Sequence, residues 1–126
     1  MIFSLLMEKK IFTPEDEAAL RESLKRCSPE TIEAAVELRK NGDTSKINTV
    51  VLGVLTRFVE PDKRPLLENP SDGIVLQQDL NLDSITMMEI VLCVEDATGV
   101  SISNEEAQSL KTLGDVKEFI KVKAAS

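Results

Sequence analysis

The feature that most constrains the fold of this chain is a run of aliphatic residues at helical spacing between positions 46 and 59. The members lie at i, i+3, i+4, i+7, i+8 and i+11: Ile47, Val50, Val51, Val54, Leu55 and Phe58. Because an α-helix brings these positions onto one face, the pattern predicts a helix from about Lys46 to Val59 with that face buried. Nowhere does the chain alternate apolar and polar residues over the length of a strand, so we predict an all-α fold.

Capping signals place a helical hairpin before this helix. Thr13-Pro14 and Ser28-Pro29 each combine a capping residue with a proline at the first helical position. They predict one helix over about 14–26 and another that ends at Asn41-Gly42. We therefore expect an N-terminal helical extension over residues 1–44, followed by a helical bundle over residues 45–126.

The second half of the chain predicts a long connection and three more helical segments. Residues 61–83 contain three prolines and show no clear periodicity, and connections of this length are usually functional or disordered. A helix is predicted from Ser84 to about Thr98, where Gly99 ends it. Residues 104–107 predict a short helical turn, and the capping box Thr112-x-x-Asp115 opens a last helix.

The composition excludes several classes of function. The 126 residues contain no histidine, which removes Ser-His-Asp and Cys-His nucleophiles and His-ligated metal sites. The net charge of −7 and a pI near 4.7 disfavour binding to nucleic acid. The two cysteines, Cys27 and Cys93, are too few and too far apart in sequence to predict a disulfide framework. We expect buried thiols, a cytoplasmic setting and no enzymatic activity.

The N-terminal segment does not look like a targeting sequence. Residues 1–7 are mostly apolar, but no basic region precedes them and no small-residue cleavage site follows. They are interpreted as a disordered start or as a strip that packs on the domain. Nothing in the sequence approaches the length of a transmembrane span, so no membrane span is expected.

Charge and apolar residues are unevenly distributed around the helix that begins at Ser84. Between Arg64 and Lys111 the sequence has nine acidic residues and no basic one. The helix itself carries more apolar residues than one bundle face can bury, so some of Met87, Met88 and Leu92 are expected to face a partner or a ligand. An apolar strip rimmed by acids would suit basic partners, whereas the alternative is a solvated acidic surface.

Ser84 has two interpretations from its position alone. It follows the long connection and Asp83, at the predicted start of a helix. A serine there is typical of a plain helix N-cap. It could also be a modification point, because the positive end of the helix would stabilise an attached phosphate diester.

The residues around Ser84 favour the second interpretation, because the chain resembles the acyl carrier proteins over about residues 46–122. The similarity is carried by the segments Leu80-Asn81-Leu82-Asp83-Ser84-Ile85, Met88-Glu89-Ile90-Val91 and Val94-Glu95-Asp96. It continues through residues 99–102, 104–107, 113–116 and 119–120. The Asp-Ser-Ile triplet alone is weak, but its place between a long loop and an acidic, Met-rich helix makes the combined pattern specific.

The resemblance implies a four-helix bundle and a carrier function. In that family a serine holds 4′-phosphopantetheine, transferred from coenzyme A by a separate phosphopantetheinyl transferase, and the terminal thiol carries acyl groups as thioesters. Carried over, Ser84 is the attachment site and Asp83 its neighbour. The docking acids for acyl-transfer or synthase enzymes with basic surfaces would be Glu89, Glu95 and Asp96. Met88 and Leu92 would be apolar docking or acyl-pocket residues.

Departures from the family pattern concern the partners more than the carrier role. Ile85 stands where such carriers usually have Leu, Thr86 where an acid is frequent, and Thr98 where a bulky apolar residue is common. The expected pathway is fatty-acid, lipid or polyketide-type synthesis. Two alternatives stay open: a peptidyl or aminoacyl carrier, and an unmodified carrier-like adaptor in which Ser84 is only a cap.

Overall fold

The computed structural model describes residues 12–125, and this part of the chain is all-α, as predicted. Its helices are α1 (Pro14–Ser23), α2 (Pro29–Asn41), α3 (Ile47–Phe58), α4 (Leu76–Asp79), α5 (Ser84–Thr98), α6 (Asn104–Ser109) and α7 (Leu113–Ala125). Two 3₁₀ turns, Thr44–Lys46 and Arg64–Leu67, and a single β-bridge between Val75 and Thr112 complete the described regular structure. The apolar residues 1–7 lie outside the described part.

Helix α3 occupies the centre of the bundle. The side chains of Ile47, Val50, Val51 and Val54 are fully buried, and Leu55 is 1% exposed. On its sides α3 packs against α2, α5 and α7. Burial of each such aliphatic side chain is worth roughly 1.5–3 kcal/mol, so the sequence stripe is the main apolar contact surface of the fold.

The hairpin of α1 and α2 shares one hydrophobic core with α3, α5 and α7 of the bundle, whereas no residue of the short α6 is buried. Leu24 and Ala35 are completely buried, and α2 packs on both α3 and α5. Arg39 of α2 extends to the far end of α5, where its Nη1 donates to the backbone oxygen of Asp96 at 3.0 Å. The residues of the extension therefore cover one side of the bundle rather than standing apart from it.

The end of α1 differs from the sequence prediction. This helix was predicted to reach about Arg26 but ends at Ser23. The backbone already leaves the helical conformation at Leu24, the C-cap, with φ −102° and ψ 13°. The Cys27 N–H donates to the Leu24 oxygen at 2.8 Å within the resulting turn, and both side chains stay buried.

The second half of the long connection has a fixed place against the start of α7. The N–H of Leu76 donates to the oxygen of Lys111 at 2.9 Å, and the N–H of Leu113 donates to the oxygen of Ile74 at 3.0 Å. The capping box of Thr112 and Asp115 is present as predicted, with both reciprocal backbone bonds formed. These bonds hold residues 74–76, which precede the loop into α5, against the start of α7.

No helix within residues 12–125 is both long enough and apolar enough to cross a bilayer.

The closest contact between the hairpin and the bundle gives a first prediction. A Cβ added at Gly53 of α3 would overlap the Thr31 Oγ1 atom and lie 2.7 Å from the Thr31 Cβ. Helix propensity alone would make Gly53→Ala stabilising, but this overlap forces α2 away from α3. We expect Gly53→Ala to lower the free energy of unfolding by about 1–3 kcal/mol in urea titrations.

Gly73→Ala is the matched control for this variant. A Cβ at Gly73 would have its nearest contact at 3.8 Å, the Ser71 Oγ atom, so stability should change by less than about 0.5 kcal/mol. Unchanged or higher stability of Gly53→Ala would show that α2 does not pack this closely on α3.

Candidate functional site

The loop before α5 is fixed by two buried leucines that leave the next residues outside. Leu80 and Leu82 are 1% and 8% exposed, and they anchor the loop in the core on both sides of Asn81. Asn81 has φ 54°, the left-handed conformation that asparagine adopts more readily than most residues. As a result Asp83 and Ser84, which follow directly, lie on the surface.

Asp83 is the N-cap of α5. Its backbone is extended, and its Oδ1 accepts a hydrogen bond from the Thr86 N–H at 2.7 Å. This backbone donor at the positive end of the helix holds the pKa of the Asp83 carboxyl below its ordinary value. The carboxylate therefore satisfies one of the backbone N–H groups that a helix start leaves open.

Ser84 is the first residue of α5 and is exposed. The interpretation of Ser84 as the N-cap is wrong, because Asp83 takes that role one residue earlier. The Ser84 hydroxyl makes no hydrogen bond with any described residue, so the helix start does not depend on it. An exposed hydroxyl at the N-terminus of a 15-residue helix is well placed to hold a phosphate ester, because the helix end favours negative charge.

An exposed apolar stripe on α5 begins beside Ser84. It consists of Ile85, Met88 and Leu92, which are 71%, 66% and 59% exposed. The spacing of three and four residues places these side chains on one face of the helix. Met88 and Leu92 were expected to face outward and do so. Met87 is half-buried instead, and Ile85, noted in the sequence only as a departure from the usual leucine, is a further exposed member of this face.

The three predicted docking acids have different surroundings. Glu89 and Asp96 are exposed, and in the described part of the chain neither carboxylate has an ion-pair or hydrogen-bond partner. Both lie along the apolar stripe, four residues after Ile85 and Leu92 respectively. Glu95 is half-buried, and its Oε2 accepts from the Ile102 N–H at 2.7 Å. Its carboxylate thus holds the loop after α5.

Tertiary packing brings basic groups to part of the acidic segment. Lys117 of α7 lies 2.9 Å from the Asp72 carboxylate, and Lys123 lies 3.1 Å from that of Glu106. Asp72 and Glu106 are thus paired with lysines, whereas Glu89 and Asp96 have no such partner among residues 12–125. Within residues 12–125 no cluster of His, Cys, Asp or Glu has the composition of a metal site.

Comparisons with known proteins agree with this arrangement. Residues 64–120 match the family model described as "Phosphopantetheine attachment site". The acyl carrier proteins of Myxococcus xanthus and Micrococcus luteus are each 52% identical over 68 residues, which is 54% of this chain and 72% and 70% of theirs. That of Thermosynechococcus vestitus is 45% identical over 49 residues, 39% of this chain and 60% of its own length. No solved structure gives a significant match.

The chain therefore belongs to the acyl carrier protein family, and its cofactor is covalently attached 4′-phosphopantetheine.

The Asp83 cap gives a second prediction. Asp83→Ala removes the acceptor for the Thr86 N–H and should lower Tm by a few degrees, whereas Asp83→Asn keeps a capping oxygen but loses the charge and should lower Tm by a smaller amount near neutral pH. Because folding lowers the pKa of Asp83, the stability added by its charge is present above the unfolded value near 3.8 and is lost as the pH falls below it.

Thermal unfolding of the three proteins between pH 7 and pH 2.5 checks both statements. The Tm difference between the natural chain and Asp83→Asn should shrink below about pH 4. Equal Tm values for the natural chain and Asp83→Ala near neutral pH would show that Asp83 does not cap α5.

Proposed function

We propose that this protein is an acyl carrier whose 4′-phosphopantetheine arm is attached to Ser84, and that it serves fatty-acid, lipid or polyketide-type synthesis. The observation that carries the proposal is the exposed, unbonded hydroxyl of Ser84 at the start of α5, next to an exposed apolar stripe. A serine needed only for the fold would cap the helix, and Asp83 already does this.

The residues around Ser84 fit an attached phosphodiester. The hydroxyl faces solvent, where a transferase can reach it, and the N-terminal end of α5 stabilises the negative charge of the linkage. Burial of Leu80 and Leu82 fixes the loop that directly precedes the attachment point at the start of α5. When bound, the group supplies a terminal thiol that holds acyl chains as thioesters.

The docking surface in this proposal is the face of α5 that follows Ser84. Ile85, Met88 and Leu92 offer exposed apolar side chains, while Glu89 and Asp96 offer unpaired carboxylates along the same face. A partner with basic residues around an apolar patch would bury the stripe and pair with these acids. We leave Glu95 out of this surface because its carboxylate is bonded to the Ile102 N–H.

Catalysis in this scheme belongs to the partners: a phosphopantetheinyl transferase, and acyl-transfer or synthase enzymes that take the carried group. A cytoplasmic location fits the unpaired thiols of Cys27 and Cys93, because a reducing compartment keeps thiols free.

The attachment site is tested by intact-mass spectrometry. The full chain is incubated with coenzyme A, Mg²⁺ and a broad-specificity phosphopantetheinyl transferase. We expect the natural chain to gain the mass of one phosphopantetheine and Ser84→Ala to gain nothing.

Ser101→Ala, which removes another exposed serine, is the matched control and should be modified like the natural chain. Modification of Ser84→Ala would move the site to another residue. If the folded natural chain gains no mass with several transferases, the unmodified adaptor becomes the better description.

The docking surface is tested by charge reversal. With the transferase as the basic partner, Glu89→Lys and Asp96→Lys should each raise KM about three- to tenfold, with little change in kcat. Added salt should narrow the difference between these variants and the natural chain, because screening weakens the charge attraction.

Glu118→Lys places the same charge change on α7, away from the stripe, and is the control. An equal rise in KM for Glu118→Lys would mean that net charge, rather than this face of α5, determines partner binding.

A further inference from the structure

Two cysteines that are 66 positions apart in sequence meet in the core. Cys27 lies in the turn between α1 and α2, Cys93 lies in α5, and each side chain is 7% exposed. Both belong to the same buried core cluster, α1 packs against α5, and the interaction between the two thiols shifts the pKa of each. The sequence predicts no disulfide and both cysteines are free, but their separation in sequence does not show that the hairpin packs across α5.

An arginine completes the cluster. Arg57 of α3 is half-buried, and its Nη1 lies 3.7 Å from the Cys93 Sγ atom, where it donates a hydrogen bond. Its guanidinium also stacks over the Phe58 ring, 4.6 Å from the centroid, which limits the positions it can take. Arg57 thus brings a basic group from another helix to the buried thiols.

The two thiols are not equivalent. The hydrogen bond from the Cys93 thiol, together with the charge of Arg57, lowers the pKa of Cys27 to about 7. The same shared proton and burial raise the pKa of Cys93. At neutral pH Cys27 is therefore the residue with thiolate character, and Cys93 is a protonated partner beside it.

We propose that Cys27 and Cys93 form a peroxide-sensitive thiol pair, which closes to an intramolecular disulfide and links the α1–α2 turn to α5. The fold places both thiols beside the guanidinium of Arg57, and neither cysteine belongs to the carrier site at Ser84. The inference therefore stands independently of the proposed function.

The chemistry requires only a hydroperoxide as oxidant. The Cys27 thiolate attacks the peroxide oxygen, the O–O bond breaks, and hydroxide leaves, giving a sulfenic acid. The Cys93 sulfur then attacks the Cys27 sulfur, the S–O bond breaks, and the oxygen leaves as water with the Cys93 proton. Overall, two thiols and one hydrogen peroxide give one disulfide and two waters, and a thiol reductant reverses the bond.

The first measurement uses the unmodified full chain and needs no cysteine variant. Iodoacetamide labelling of the reduced, folded protein at pH 7, followed by peptide mass spectrometry, should modify Cys27 at least about tenfold faster than Cys93. Arg57→Gln should slow the labelling of Cys27. Equal labelling, or faster labelling of Cys93, would overturn the assignment of roles.

The second measurement follows oxidation itself, in the Ser84→Ala chain so that Cys27 and Cys93 are its only thiols. Stoichiometric hydrogen peroxide should give a monomer that has lost two hydrogen atoms and regains them with dithiothreitol. Closing so long a loop should raise Tm by roughly 10 °C over the reduced form.

Serine variants separate the two chemical steps. Cys93→Ser should stop at a sulfenic acid on Cys27 that dimedone traps, whereas Cys27→Ser should resist the same peroxide dose. Intermolecular dimers, or over-oxidation of one cysteine in the natural chain without the two-hydrogen loss, would refute the pair. A negative result in these oxidation experiments would not affect the proposed carrier function of Ser84. That function is measured separately, by the transfer of phosphopantetheine to the chain.

Discussion

The exclusion of water from one face of α3 holds the rest of the structure in place. Helices α2, α5 and α7 all pack against its fully buried valines and isoleucine, so each is positioned relative to the same aliphatic surface. Because these side chains are β-branched and have few rotamers, the surface is stiff, and the helices on it have little freedom to shift. The orientation of α5, and with it the site, follows from this packing.

Neighbouring residues of the site have different structural roles. Buried Leu80 and Leu82 fix the loop, Asp83 satisfies the helix start, and Ser84 is left without a structural role. Farther along α5, Glu95 holds the following loop through the Ile102 N–H, while Glu89 and Asp96 stay unpaired. Folding thus bonds Asp83 and Glu95 to backbone N–H groups. It leaves Ser84, Glu89 and Asp96 available for partners.

The N-terminal hairpin contributes to this arrangement as well. Arg39 bonds to the C-terminal end of α5, Thr31 packs closely on Gly53, and Cys27 meets Cys93. Three contacts of different kinds therefore connect the hairpin to α3 and α5. In the thiol-pair proposal, peroxide converts the Cys27–Cys93 contact into a disulfide. This bond would reinforce the packing of α5, the helix that carries Ser84.

Local patterns were sufficient for much of the fold. The stripe over 47–58, the Gly99 stop and the capping box at Thr112 each describe contacts within one helix, so they could be predicted without knowing its neighbours. The end of α1 could not, because its backbone leaves the helical conformation at Leu24, where no glycine or proline marks a stop. For the same reason the choice between Asp83 and Ser84 as the cap needed the backbone geometry.

The sequence by itself determined that this chain is helical, that its core is aliphatic, and that the segment around Ser84 resembles an acyl carrier. These properties depend on residue type and on spacing along the chain. Only the tertiary structure decided which acids are paired, which apolar residues of α5 stay exposed, and that Cys27, Arg57 and Cys93 form one cluster. Those properties depend on distances between helices that packing sets, and no periodicity in the sequence records them.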